Sequence, residues 1–153
     1  MKKLILAWAV LLITGLTSAF ANKSGDINQH ALASFKNDFA TATNVSWQET
    51  KDFIKATFSF NDQIMYAYYN RQGDFLGVMR HVLTSQLPLN LALDLKKSFL
   101  SDYWVSDVIE MSVDGQTNYY VSLENGDQTV ILKSDGDGEW RIHKTLGRIL
   151  RRL

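Results

Sequence analysis

Alternation of apolar and polar residues is the feature that most limits what this chain can fold into. Between Ile54 and Phe60 every second residue is apolar, and Lys55, Thr57 and Ser59 lie between them. Successive side chains of a strand point to opposite faces, so a period of two predicts strands with one buried side. The first half has such runs near 45–47 and at 54–60, 64–69 and 75–83, and the second half at 105–113, 118–123, 129–133 and 139–143.

Two segments show the helical period instead. Their apolar residues are Ile27, Ala31, Leu32, Phe35 and Phe39 in the first segment, and Leu91, Leu95 and Phe99 after Pro88 in the second. Such a stripe can dock a partner, but one that ends in two phenylalanines is typical of a helix that covers a sheet. We therefore predict an α+β fold, an antiparallel sheet of about eight strands with the helices packed on one face and the other face open.

The second half follows the first at nearly constant spacing. Matching positions are Phe35, Val45, Phe58, Ala67, Gly73 and Phe75 in the first half and Phe99, Val108, Val121, Leu132, Gly138 and Trp140 in the second. A tandem duplication leaves this pattern, although apolar matches also arise by chance. The prediction is two helix-plus-four-strand repeats, about 27–83 and 84–144.

The first residues are typical of a signal peptide. Lys2 and Lys3 precede an apolar stretch at 4–15, and small residues at 19–21 provide a cleavage site after Ala21. The stretch is shorter than the ~20 residues of a spanning helix, which is the alternative. We expect cleavage near Ala21, a flexible leader at 22–26, and a periplasmic or secreted protein without disulfides, since cysteine is absent.

The order of several short motifs resembles the PepSY-like family, whose relatives include secreted inhibitors of beta-lactamase. The motifs are Phe35 and Phe39, the runs 44–47, 56–58 and 68–73, Leu87-Pro88 before the second helix, and the turn 135–138. They cover the chain from 27 to about 144. The resemblance implies a sheet with helices on one face and an open opposite face, and it carries over no catalytic motif.

The residues themselves predict no cofactor, no metal site and no enzyme. There is no G-x-S-x-G, no cysteine nucleophile and no phosphate-binding glycine loop, and His30, His81 and His143 lie on separate elements. The run 135–139 begins like a calcium loop, but Lys144 stands where the bidentate glutamate belongs. Removing Lys2 and Lys3 leaves 14 basic against 16 acidic residues, which makes nucleic acid an unexpected partner.

The predicted open face has the composition of a recognition surface. The set that should face the helices is Ala56, Phe58, Met65, Ala67, Val121, Leu123, Val130 and Leu132, so their neighbours face the other way. The candidate partner-binding residues are Tyr66, Tyr68, Tyr120, Ile131, Lys55 and Lys133. Aromatic anchors among polar residues suit a protein or peptide of the cell envelope, but tyrosine is also ordinary on an exposed strand.

The chain ends in a basic segment, 145–153, that contains Arg148, Arg151 and Arg152 beside leucines at helical spacing. Such a segment can contact anionic lipid or a partner, or simply pack on the domain edge. The leading hypothesis is a non-enzymatic binding or inhibitor-like module, a monomer or weak dimer. The alternatives are a periplasmic hydrolase whose catalytic groups meet only in the fold, and a peripheral membrane or assembly protein that uses this tail.

Overall fold

The structure, a computed structural model, describes residues 27–135 and 138–147. Its helices are α1, Gln29–Asp38, and α2, Leu89–Ser98. The Asn28 side chain accepts hydrogen bonds from the backbone N–H groups of His30 and Ala31, which satisfies two donors that a helix start leaves unpaired. Before α2, Pro88 occupies the capping position with a φ of −49°, close to the value its ring imposes.

Within the described residues, eight strands form one antiparallel sheet in the order of the chain. They are β1 Thr43–Glu49, β2 Ile54–Phe60, β3 Gln63–Tyr69, β4 Phe75–His81, β5 Trp104–Val113, β6 Gln116–Glu124, β7 Gln128–Asp135 and β8 Glu139–Gly147. Tight turns set the register of β2 with β3 and of β5 with β6. Asn61, Asp62, Asp114 and Gly115 all have positive φ, the geometry that matches the twist of paired strands.

Two apolar cores lie between the sheet and the helices. The first core contains Ala31, Phe35, Ile54, Ala56, Phe58, Ala67 and Tyr69, and the second contains Val82, Leu87, Leu91, Leu95, Val108, Val121, Leu123, Val130, Leu132 and Trp140. Val78 packs on the first core and Val82 belongs to the second. Because these residues are four apart along one extended segment, they point to the same side, and both described helices therefore cover one face of the sheet.

Aromatic ring packing and a hydrogen bond from the indole N–H of a tryptophan hold the helices against the sheet. The ring of Phe35 meets that of Phe58 edge-on, at a centroid distance of 4.9 Å. In the second core Trp140 donates from Nε1 to the carbonyl of Leu91 at 2.9 Å. Edge-on ring pairs contribute about 0.5–1.5 kcal/mol beyond the area they bury, so each helix is attached by specific contacts as well as by apolar burial.

A polar seam separates the two cores on the helix-bearing face. Arg80 Nε lies 2.8 Å from Glu110 Oε1, and Tyr119 donates its hydroxyl proton to Glu110 Oε2 at 3.2 Å. Arg80 also donates to the side chain of Gln63. The seam joins β3, β4, β5 and β6, so it links the two halves of the sheet.

The α+β class and the antiparallel sheet of eight strands are confirmed. The residues predicted to face the helices also do so, in the two cores or packed against them. β6, β7 and β8 are longer than predicted, and β8 continues to Gly147 because Leu146 and Gly147 pair with Thr129 and Gln128. The predicted boundary at 144 therefore lies within a strand. A helix precedes four strands in each half, while descent from a duplication stays a prediction.

Candidate partner-binding face

All six residues predicted for partner binding lie on the side of the sheet away from α1 and α2, which we call the open face. Tyr68, Tyr120 and Ile131 belong to one cluster on this side. The Nζ atom of Lys55 lies 5.9 Å from the ring centroid of Tyr66, and that of Lys133 lies 5.9 Å from the ring centroid of Tyr120. The alternation of β2, β3, β6 and β7 thus brought these side chains together, as predicted.

The accessibility expected for three of these residues is wrong. Tyr68 is 7% exposed, and Tyr120 and Ile131 are each 3% exposed. They pack with residues of the central strands in what we call the face cluster: Tyr68, Met79, Ile109, Met111, Tyr120 and Ile131. The hydroxyl of Tyr68 donates to the sulfur of Met79 at 3.7 Å. These three side chains therefore form a packed floor rather than projecting anchors.

The sequence reasoning missed the contribution of β4 and β5. Met79 on β4 pairs directly with Met111 on β5, and Ile109 lies opposite Tyr120 on β6. These strands join the two halves of the sheet, so their apolar residues fill the centre of the open face. The same alternation that singled out Tyr66 and Tyr68 could have identified them once the neighbouring strands were known.

Polar and half-buried side chains surround the face cluster. Lys55, Tyr66 and Lys133 are half-buried. His81 Nδ1 lies 2.8 Å from Asp107 Oδ1, and the His81 ring meets Tyr66 edge-on at a centroid distance of 5.9 Å. The open face therefore presents a lysine, a tyrosine and a histidine with its carboxylate at its accessible margin.

Burial shifts the pKa of two groups on this face. It raises the pKa of the Tyr68 phenol above its usual value, with a smaller contribution from the nearby Tyr66, so Tyr68 stays neutral and able to donate to Met79. Burial also lowers the pKa of Lys55, because an ammonium loses hydration among neutral neighbours.

No group of three or more His, Cys, Asp or Glu side chains that could hold a metal ion occurs in the described part of the chain. Of the histidines, His30 contacts the carbonyl of Gln72 and lies 3.6 Å from Asp74, while His81 contacts Asp107. These contacts pair neither ring with a serine or threonine hydroxyl, the arrangement that activates such a nucleophile.

The predicted signal peptide and leader, and Arg148, Arg151 and Arg152, lie outside the described residues. Among the described residues, no helix has the length and apolar character needed to cross a membrane. Described side chains of the open face, rather than the tail, are therefore the basis of the candidate site.

No protein-family model matches the chain, and no curated protein sequence matches it. Solved structures of the same fold do exist. A BLIP-like protein from Bacteroides fragilis has a TM-score of 0.71 and 16% identity, over 86% of this chain and 92% of that one. A DUF2874 family protein from Bacteroides ovatus has a TM-score of 0.68 and 17% identity, over 84% and 89%.

A third solved structure, described as a "putative periplasmic" protein of Bacteroides eggerthii, has a TM-score of 0.69 and 14% identity, over 80% of this chain and 90% of that one. At these identities the likeness shows the fold. The resemblance predicted from the order of the motifs is thereby matched by BLIP-like and DUF2874 structures that share the fold.

Proposed function

We propose that this chain is an exported module of the bacterial cell envelope that binds a protein or peptide through its open face, without turnover. The observation that carries the proposal is the composition of that face. An apolar cluster built from both halves of the sheet lies on the side away from the helices, and the half-buried Lys55 and Tyr66 lie at its margin.

The arrangement on the open face matches how protein interfaces are built. Binding energy concentrates in a few aromatic and charged groups around a packed apolar centre, and the polar rim supplies orientation. Here Tyr66 and Lys55 are the accessible groups, and His81 with Asp107 forms the polar margin. The buried cluster that contains Tyr68, Tyr120 and Ile131 packs against Tyr66.

Export is the second part of the proposal. The basic start, the apolar stretch at 4–15 and the cleavage signal at Ala21 support secretion. The description of one fold neighbour as "putative periplasmic" and of another as BLIP-like agrees with an exported binding protein. The photocrosslinking experiment below identifies the partner and so shows whether it is an enzyme.

A tandem origin of the two halves remains part of the proposal, and the turn glycines support it. Gly73 and Gly138 have φ of +93° and +91°, and each lies against the start of the helix of its own half. The two helices align at an offset of 60 residues rather than 64. Each ends at a phenylalanine whose backbone N–H donates to a carbonyl four residues earlier, Phe39 to Phe35 and Phe99 to Leu95. With the helices aligned in this way, the tandem proposal pairs Phe35 with Leu95, where the sequence comparison paired Phe35 with Phe99.

Site-specific photocrosslinking tests the proposed face. A photoreactive phenylalanine analogue at Tyr66 should capture a discrete envelope protein or peptide when the mature chain is incubated with native envelope extract. The matched control carries the analogue at Leu93, which is 59% exposed on α2 on the helix-bearing side.

The variant Tyr66→Ser should then weaken capture by the unmodified chain, with circular dichroism as the folding control. Equal crosslinking from the Tyr66 and Leu93 positions, or none from Tyr66, contradicts the proposed face. Tyr68 and Tyr120 are poor choices for this test, because they are buried and their replacement by serine would leave cavities in the face cluster.

A further inference from the structure

Lys55 is a cation without a carboxylate partner on the open face. It is half-buried, and no described carboxylate lies within ion-pairing distance of its Nζ atom, whereas Arg71, Arg80, His30 and His81 each have one. Its described partner is the ring of Tyr66, 5.9 Å away. A cation over a ring at this distance contributes about 0.5–1 kcal/mol at an accessible site, and it leaves the charge of the ammonium unneutralised.

No carboxylate on the strands around Lys55 is placed to neutralise its ammonium charge. Strands β1 to β4 are fully described, and Glu49 is their one carboxylate. It binds Arg71 at 3.3 Å. It also lies opposite Ile54, a first-core residue, and therefore on the helix-bearing side. Asp107, on β5, is paired with His81.

The neighbours of Lys55 include side chains that can donate hydrogen bonds to a carboxylate paired with Lys55. In the strand register Lys55 lies between Gln48 on β1 and Tyr68 on β3, and Thr57 follows on the same side of β2. An amide and a hydroxyl donor thus flank the ammonium, with aromatic rings beside them. An incoming carboxylate would gain a cation, neutral donors and partial exclusion of water, conditions under which charge-assisted hydrogen bonds are strong.

We propose that this part of the open face is a carboxylate-binding subsite, in which Lys55 pairs with an aspartate or glutamate side chain of a protein segment seated across the face cluster. This inference rests on the proposed function, because it names the chemistry of the same partner. It assigns Lys55 the electrostatic contact and Tyr66 the apolar contact beside it.

A peptide-borne carboxylate fits better than a polyanion. Anionic membranes and nucleic acids are bound by several cations that act together. Among β1 to β4 the other lysine or arginine is Arg80, and it is held by Glu110 within the polar seam on the helix-bearing side. Lys133, the other lysine named on the open face, lies on β7 beside Tyr120. The β1–β4 part of the face therefore offers a single lysine next to apolar residues, which suits one carboxylate that is flanked by apolar residues.

The test uses the mature chain and selected peptide ligands. Peptides selected for binding are resynthesised with each aspartate or glutamate replaced by asparagine or glutamine, and affinities are measured at low and high salt. The acidic peptides should bind about tenfold more tightly than their amide isosteres at low salt, as one charge-assisted contact predicts. The variant Lys55→Met should abolish that difference and keep the aliphatic stem. Lys51→Met, at an exposed lysine in the neighbouring β1–β2 loop, should leave it unchanged.

Three results would overturn the subsite. Amide isosteres that crosslink to the Tyr66 position and bind as well as the acidic peptides would refute it while leaving the proposed function intact. Lys55-dependent binding to vesicles that contain phosphatidylglycerol, without binding to acidic peptides, would assign the cation to a lipid surface. If Lys55→Met lost no more affinity than Lys51→Met, the contact would lie elsewhere on the open face.

Discussion

The turn between β3 and β4 should control how firmly α1 is seated, and Gly73 is the residue on which this depends. The side chain of Asn28 caps α1 through Oδ1 and donates from Nδ2 to the carbonyl of Arg71 at 3.0 Å. One amide group thus ties the turn to the helix start. A Cβ added at Gly73 would lie 2.6 Å from the backbone nitrogen of Ala31 and 2.7 Å from Asn28 Oδ1.

The expected cost of Gly73→Ala has two parts. A φ of +93° strains any residue with a Cβ by about 1–2 kcal/mol. The clash with Asn28 disrupts the cap, and loss of a helix cap typically costs about 1 kcal/mol. We therefore expect the free energy of unfolding to fall by about 2–3 kcal/mol, roughly the sum of these terms.

Two other glycines separate these contributions. Gly115 has a φ of +75° and no atom near its added Cβ, so Gly115→Ala measures the backbone strain alone. Gly147 has neither the positive φ nor a close neighbour, so Gly147→Ala should stay within about 0.5 kcal/mol of the parent. Urea unfolding followed by circular dichroism gives all three values. If Gly73→Ala costs no more than Gly115→Ala, the turn does not hold the helix start and the reasoning fails.

Two tyrosines on β3 lead to further predictions. The hydroxyl of Tyr69 is buried and has no hydrogen-bond partner. Because an unsatisfied buried group costs about 1–3 kcal/mol, Tyr69→Phe should leave stability to urea unchanged or raise it by about 1 kcal/mol. A loss above that size would reveal a bond to the hydroxyl. Burial raises the pKa of Tyr68, so its stabilising contribution is complete below the unfolded value of about 10 and is lost as pH rises through the folded value. The urea midpoint should therefore fall above about pH 10, and less steeply in Tyr68→Phe; parallel profiles would contradict the assignment.

The local sequence pattern predicted much of the fold. The alternation in β2 and the helical spacing of Ala31 and Phe35 predicted both the element types and the sides that become buried, because each depends only on the direction of neighbouring side chains. Strand ends were less predictable. β8 runs to Gly147 because its last residues pair with the first residues of β7. The residues of β8 alone do not reveal how far its neighbouring strand extends.

The identity of the open-face residues also followed from local pattern, but their exposure did not. Tyr68, Tyr120 and Ile131 were assigned to the right side of the sheet and were expected to be accessible. In the structure they are buried in one cluster with Met79 and Met111, which come from the strands that join the two halves.

The amino-acid sequence by itself determined that the chain forms helices and alternating strands, which residues share a side, and that the first residues are typical of an export signal. The tertiary structure decided which of those residues remain accessible and which charges are paired. Lys55 and Arg80 are both cations on strands, yet Arg80 pairs with Glu110 across β4 and β5, while Lys55 lies over the ring of Tyr66. Burial and charge pairing depend on neighbours that are distant in the chain, and only the packed sheet brings those neighbours together.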